Sequence, residues 1–136
     1  MMKRTPLLAS AVYFALVFTL GFLLGTVRTL FVQDTPSAGR LLGVVIELPI
    51  MLAASWFLCR RVVARLYVAP TVPARAVMGG VAFALLLLAE LLMGVLLFGR
   101  TIAEHFALYR EDSYALGLAA QIGFAVMPIM QLRGKR

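Results

Sequence analysis

The chain contains four long segments that are almost free of charged residues. They cover about residues 7–27, 41–59, 76–98 and 114–132. A helix that crosses roughly 30 Å of hydrocarbon needs about 20 apolar residues, so each segment is long enough to span a membrane. None shows the alternation of apolar and polar residues that is typical of a membrane β-barrel strand. The sequence therefore predicts an all-α polytopic membrane protein whose four transmembrane helices form an up-down bundle.

The composition excludes a soluble globular domain. Hydrophobic residues make up 62% of the 136 residues, charged residues make up 14%, and the mean hydropathy is +0.97. An average soluble domain has about a quarter of its residues charged, and this chain has too few polar residues to cover a water-exposed surface. The connections between the spans are short, and the first apolar run is longer than that of a signal peptide. We therefore expect residues 1–136 to form a single transmembrane domain with an uncleaved first helix.

The basic residues are distributed unevenly between the two sets of flanks. One set holds nine of them, namely Lys3, Arg4, Arg60, Arg61, Arg65, Arg75, Arg133, Lys135 and Arg136, whereas the other holds four, namely Arg28, Arg40, Arg100 and Arg110. Since cytoplasmic flanks carry the excess of Lys and Arg, we expect both termini to be cytoplasmic. The lipid bilayer accounts for the net charge of +7, and because no basic patch interleaves with exposed aromatic residues, we expect no nucleic-acid binding.

The two halves of the sequence resemble each other. The first and third spans both end in a glycine-rich stretch that is followed by an arginine and a threonine, at Arg28 and Arg100. The second and fourth spans both begin with Leu-Gly, and a polar residue, Glu47 or Gln121, follows four residues after that glycine. One interpretation is a duplicated hairpin whose pseudo-twofold axis lies along the membrane normal. The other is chance similarity between segments rich in Leu, Gly, Val and Ala.

Three polar residues lie within the apolar spans at similar depth. Counted at about 1.5 Å per residue, Glu47, Glu90 and Gln121 lie roughly 9–13 Å below the outer boundary. An ionisable group at that depth costs a few kcal/mol or more unless it has a partner, a proton or water. Arg28, near the outer end of the first helix, can reach inward along its flexible stem. We therefore predict one polar cluster of Glu47, Glu90, Gln121 and Arg28 in the outer half of the bundle.

Two interpretations of this cluster remain open. In the first, its side chains join the helices through interhelical hydrogen bonds. In the second, an unpaired glutamate binds a proton or a cation, which would make the protein a small oligomeric transporter or channel that uses Glu47 and Glu90.

Other candidate residues carry weaker signals. The Gly21-x-x-x-Gly25 pattern predicts close helix packing. His105 stands beside loosely spaced carboxylates in the predicted outer connection, where we expect a solvated loop rather than a metal site. The sequence has no phosphate-binding glycine loop, no paired-cysteine motif and no histidine-rich motif, so we expect no catalytic residue, no metal and no cofactor.

The chain resembles a family of small bacterial four-helix inner-membrane proteins to which no activity is assigned. The resemblance rests on Glu47-Leu48-Pro49 in the second span, and on Ala89-Glu90-Leu91 and Phe98-Gly99-Arg100 at the third. It implies a multi-pass protein of the bacterial inner membrane, and it brings no catalytic residues. Together with the spans, it favours a non-enzymatic structural or accessory membrane component that forms a homo-oligomer or joins a larger membrane complex.

Overall fold

A computed structural model describes residues 4–32 and 37–133 of the chain, and within these ranges it contains helices and no strand. The helices are α1 (Arg4–Val32), α2 (Ser37–Arg65), α3 (Val72–Leu96), α4 (Ile102–Ala107) and α5 (Asp112–Arg133), with a 3₁₀ turn (Leu108–Arg110) between the last two. In the described part, α1, α2, α3 and α5 are long and apolar enough to cross a membrane. The predicted all-α bundle with four membrane-spanning helices is thus confirmed.

The described helices extend beyond the predicted spans at the basic connection. The second helix continues past residue 59 to Arg65, and the third begins at Val72 instead of residue 76. Thr71 caps α3 by accepting a hydrogen bond from the Ala74 N–H, and Pro73 lies in the first turn, where its missing N–H costs nothing. The four arginines that flank the second and third spans here, Arg60, Arg61, Arg65 and Arg75, therefore lie on helices and not in the connection between them.

Part of the predicted charge asymmetry lies outside what the structure describes. Lys3, Asp34, Lys135 and Arg136 fall outside the described residues, and so do the side chains of Arg4, Arg40 and Arg133. The end of the bundle that contains the connection between α2 and α3 is called the arginine-rich end below, after the arginines of residues 60–75.

The bundle is a ring of four helices in which the order differs from the chain order. Helix α1 packs against α2 and α3, and α5 packs against the same two helices. Around the ring the order is therefore α1, α2, α5, α3, so that α2 and α3 are diagonal to each other. A twofold axis along the membrane normal would place α1 opposite α3, whereas these helices are neighbours. The interpretation with a rotation axis along the membrane normal therefore does not describe this arrangement, in which the two hairpins lie side by side.

The buried core lies mainly towards the arginine-rich end. Its members come from all four long helices and from the connection between α2 and α3; they are Ala9, Tyr13, Val17, Cys59, Val62, Val63, Val68, Met78, Ala82, Leu86, Phe124 and Met127. The outside of the bundle is covered by large apolar side chains such as Leu23, Phe57 and Leu88, each more than half exposed. An apolar exterior of this kind suits lipid rather than water.

Gly79, where α3 meets α5, makes the closest approach among the glycines whose surroundings the structure describes. A Cβ added there would lie 1.9 Å from the Ala125 carbonyl oxygen, closer than any real Cβ contact. Gly21 and Gly25, which the sequence predicts to pack closely against another helix, have more space around them. A Cβ on Gly21 would lie 3.3 Å from Met51 Cε in α2, and a Cβ on Gly25 would lie 3.8 Å from Arg28 Nη2 in its own helix. At Gly79 the backbones of α3 and α5 therefore approach too closely to admit any side chain at this position.

Candidate functional site

The four residues of the predicted polar cluster form two pairs, and each pair joins the long helices of one hairpin. Arg28 Nη1 in α1 donates to Glu47 Oε2 in α2 over 2.6 Å. Gln121 Nε2 in α5 donates to Glu90 Oε1 in α3. Each of the two glutamates that the sequence places at membrane depth thus contacts a side chain of the adjacent antiparallel helix.

A glycine provides the space for the first pair. Gly43 lies one turn before Glu47 on α2, and a Cβ at that position would lie 3.1 Å from Arg28 Cδ. The arginine stem therefore lies across Gly43 and brings the guanidinium to the carboxylate. The Glu47 side chain is 17% exposed and the Arg28 side chain 33% exposed, so the pair is partly shielded from solvent. In the sequence Gly43 lies four residues before Glu47, but this spacing alone does not identify it as part of the site.

The second pair has a different chemistry because its partners are neutral. Glu90 accepts from the Gln121 amide and also interacts with the hydroxyl of Tyr109, which lies in the 3₁₀ turn. Burial raises the pKa of Tyr109 above its ordinary value of 10.0, and the charge of Glu90 raises it further. Among the described residues, no lysine or arginine forms an ion pair with Glu90. This carboxyl is therefore held by hydrogen bonds and not by an opposite charge.

The connection between α3 and α5 is folded, which corrects the predicted solvated loop at His105. Thr101 caps α4 by accepting a hydrogen bond from the Glu104 N–H over 3.1 Å. His105 is only 6% exposed, and a Cβ on Gly94 would lie 2.7 Å from its Nδ1 atom. The absence of a side chain at Gly94 thus lets the imidazole pack against α3. His105 Nδ1 and Gln121 Oε1 are buried and have no hydrogen-bond partner within the described ranges.

A second group of polar contacts lies at the arginine-rich end, and sequence reasoning missed it. The Tyr13 hydroxyl of α1 donates to the Phe124 carbonyl of α5 over 2.9 Å, and the two rings stack with their centroids 4.2 Å apart. Pro128 explains why this carbonyl is available: proline has no N–H, so the oxygen four residues before it lacks its helical partner. Tyr13 and Pro128 lie at opposite ends of the sequence, on different helices, so no local spacing signals their relation.

Arg75 is the most buried charged residue of this group. Its side chain is 1% exposed, with Nε donating to the Ala69 carbonyl over 3.2 Å and Nη1 donating to the Pro128 carbonyl over 3.1 Å. In the part of the chain that the structure describes, no carboxylate pairs with it. The fully buried Cys59 thiol lies near enough to interact electrostatically with both Arg75 and Tyr13. Arg75 lies just before the apolar run that starts at residue 76, but the Thr71 cap begins α3 earlier and places Arg75 on the helix.

Two open cavities lie beside these residues at the arginine-rich end. One of about 340 Å³ is lined by Arg61, Ala64, Arg65 and Tyr67. The other, of about 350 Å³, is lined by Val63, Ala64, Tyr67, Val68, Pro70 and Arg75. Since Ala64 and Tyr67 line both, the two cavities are adjacent. They are far along the bundle from the two glutamates, which lie towards its opposite end.

The described side chains contain no group of three or more His, Cys, Asp and Glu residues that could hold a metal ion. No protein-family model, no curated protein and no solved structure matches this chain.

Proposed function

We propose that this chain is a non-enzymatic component of the bacterial inner membrane with a structural or accessory role and with both termini in the cytoplasm. The observation that supports this role best is the engagement of both glutamates of the apolar spans. Glu47 contacts Arg28, and Glu90 contacts Gln121, each across a helix interface. Interhelical hydrogen bonds of this kind contribute about 0.6–2 kcal/mol each to helix association. Their function in this proposal is to hold each hairpin together.

The proposed orientation has support from the described residues. Arg60, Arg61, Arg65 and Arg75 cluster at one end of the bundle, and the sequence contains no acidic residue from 48 to 89. The exposed acids Glu104, Glu111 and Asp112 belong to the connection at the opposite end. This is the asymmetry that the positive-inside rule associates with a cytoplasmic arginine-rich end.

The experiment for the accessory role is purification in mild detergent, followed by mass determination and identification of bound proteins. We expect the protein to co-purify with a larger membrane complex. Glu90→Gln should leave that association unchanged, because a glutamine can still accept a hydrogen bond from Gln121. Glu104→Gln is the matched control, since it removes the same charge from an exposed position. A purely self-associated protein that binds no other chain would contradict the accessory role.

A small oligomeric transporter or channel is the second candidate, and the surroundings of Glu90 favour it. This carboxyl has neutral partners, and buried atoms of His105 and Gln121 nearby lack hydrogen-bond partners in the described structure. Such a group could accept and release a proton. Proton or cation flux into proteoliposomes that is lost in Glu90→Gln and retained in Glu104→Gln would establish this function in place of the accessory role.

A further inference from the structure

The pair of cavities at the arginine-rich end has the chemistry of an anion site. Arg61 and Arg65 line the first cavity and Arg75 lines the second, so the two adjacent cavities have three arginines among their lining residues. No acidic residue lies between positions 48 and 89 to neutralise them. Guanidinium groups donate hydrogen bonds in a planar fork that matches the oxygen atoms of a phosphate group. A ligand that suits these arginines would therefore carry a phosphate group, either as a free ion or as part of a lipid headgroup.

Arg75 has the strongest need for a nearby anion. A buried cation is costly unless its charge is compensated. The carbonyl oxygens of Ala69 and Pro128 satisfy two of its N–H groups, but they supply only partial charge. An anion in the cavities beside Arg75 would compensate the rest of its positive charge. The same anion would contact the exposed Arg61 and Arg65.

The backbone at Tyr67 is a second, independent sign of a built site. Helix α2 ends in a Schellman-type turn in which the Val68 N–H donates to the Val63 carbonyl over 3.1 Å. The residue in the left-handed conformation of this turn is Tyr67, with φ of 52°, whereas glycine is the usual residue there. Tyr67 is also 88% exposed, so its side chain is not required by the core. Strained residues of this kind cluster at binding sites, and Tyr67 lines both cavities.

The surroundings favour a lipid over a free phosphate ion. Phe57 lies one turn before Arg61 on the same face of α2, and Ile50 lies two turns before Phe57. Both are more than half exposed, so an apolar strip runs from the arginines along the span. A molecule with a phosphate headgroup and acyl chains would occupy the cavities and the strip together. Tyrosine rings are also typical of the membrane boundary, where such headgroups lie.

We propose that Arg61, Arg65, Arg75 and Tyr67 bind the headgroup of an anionic phospholipid at the arginine-rich end of the bundle. This site is separate from the glutamate pairs, and it does not depend on the proposed accessory role. Basic pockets at the cytoplasmic ends of transmembrane helices are suited to such headgroups.

The test titrates the purified protein in mild neutral detergent with three probes. These are dioleoyl phosphatidylglycerol, dioleoyl phosphatidylcholine and sodium phosphate, with native mass spectrometry and thermal unfolding as the measurements. We expect phosphatidylglycerol to bind at least about fivefold more tightly than phosphatidylcholine, since one basic residue near an anionic headgroup contributes about that factor. Sodium phosphate should neither bind at the same concentrations nor raise the unfolding temperature. Equal binding of the two lipids, or equal protection by phosphate, would overturn the proposal.

The variants separate this site from general charge attraction. Arg61→Gln and Arg65→Gln should each weaken phosphatidylglycerol binding about fivefold. Arg60→Gln is the matched control, because Arg60 is an exposed arginine of the same helix turn that lines neither cavity. It should change the affinity less than twofold. A loss in Arg60→Gln equal to that in Arg61→Gln would show non-specific attraction and contradict the site.

Tyr67→Gly provides a readout that a merely structural role would not give. Glycine relieves the left-handed conformation, so the unfolding temperature should stay constant or rise. The affinity for phosphatidylglycerol should nevertheless fall, because the aromatic side chain that lines both cavities is lost. Unchanged affinity in this variant would remove Tyr67 from the site.

Discussion

At the scale of single residues, the contact between Tyr13 and Phe124 shows how a proline in one helix creates the need for a hydrogen-bond donor on another helix. Pro128 is itself buried and interrupts the backbone hydrogen bonds of α5. The Phe124 carbonyl that it leaves unpaired accepts instead from the Tyr13 hydroxyl of α1. Since α1 and α5 are diagonal in the ring, this hydrogen bond crosses the interior of the bundle.

We predict that Tyr13→Phe lowers the stability by about 1–3 kcal/mol, because it leaves a buried carbonyl without a donor. The measurement is thermal or denaturant unfolding in detergent. The informative control is the same substitution in a Pro128→Ala background, where residue 128 regains an N–H that can pair with Phe124. Tyr13→Phe should then cost clearly less. An equal cost in both backgrounds would show that the hydroxyl acts through some other contact.

Tyr109 gives a prediction for the dependence of stability on pH. Its pKa in the folded protein is raised, by burial first and then by Glu90 and Tyr114. Below the ordinary tyrosine value of 10.0, both the folded and the unfolded chain hold the proton, and the contribution to stability is fully present. Above that value the unfolded chain loses its proton first, so stability falls as the pH rises.

Unfolding temperatures measured between about pH 8 and pH 11 should therefore decline towards alkaline pH more steeply in the native protein than in Tyr109→Phe. Tyr67→Phe is the matched control, because it removes the same hydroxyl from an almost fully exposed position. Parallel curves for the native protein and Tyr109→Phe would contradict the buried contact between Tyr109 and Glu90.

At the scale of helices, the interface between α3 and α5 depends on one glycine. Gly79→Ala would insert a methyl group into the space occupied by the Ala125 carbonyl, so the two helices would have to separate. Displacing packed groups in this way usually costs about 1–3 kcal/mol. Gly80→Ala is the matched control on the next residue, where a Cβ meets nothing within 4 Å.

Because alanine favours helix more than glycine does, Gly80→Ala should leave the unfolding temperature unchanged or raise it. Gly79→Ala should lower it. If both variants behaved alike, helix propensity and not close packing would govern this segment.

The helices also show what the sequence could and could not predict. The four spans were predictable because hydrocarbon thickness sets a length that the apolar runs satisfy. The helix ends were not predictable from the apolar runs. Arginine favours the helical conformation, and α2 therefore continues beyond its apolar run to Arg65. Helix α4 is too short for a membrane pattern, but Thr101 followed by Glu104 is the signature of a helix start and could have revealed it.

At the scale of the whole molecule, a contact between two side chains could be predicted only where both lie at the same membrane depth and on helices that are consecutive in the chain. Arg28 and Glu47 were predictable as partners, because consecutive helices joined by a short connection are neighbours. The contact of α5 with α2 could not be predicted, because nothing in the apolar runs specifies the order of the helices around the ring. Arg75 was missed because it lies before the apolar run of the third span, and Tyr13 was missed because nothing in α1 signals the carbonyl that Pro128 frees on α5.

The orientation of the whole bundle decides whether the lipid site faces the cytoplasm, and it can be measured with single cysteines. Cys59 is fully buried, so the native protein should not react with a membrane-impermeant maleimide, and Cys59→Ala provides a clean background. Tyr67→Cys places a thiol on the exposed connection at the arginine-rich end. Glu111→Cys places one on the exposed connection at the opposite end.

With the arginine-rich end inside, spheroplasts should be labelled at residue 111 and not at residue 67, and both positions should react once the membrane is permeabilised. Permeabilisation is the control for accessibility, because it shows that both thiols can react. The reverse pattern in intact spheroplasts would place the arginines outside. The lipid site would then face the outer leaflet, and the positive-inside rule would not describe this chain.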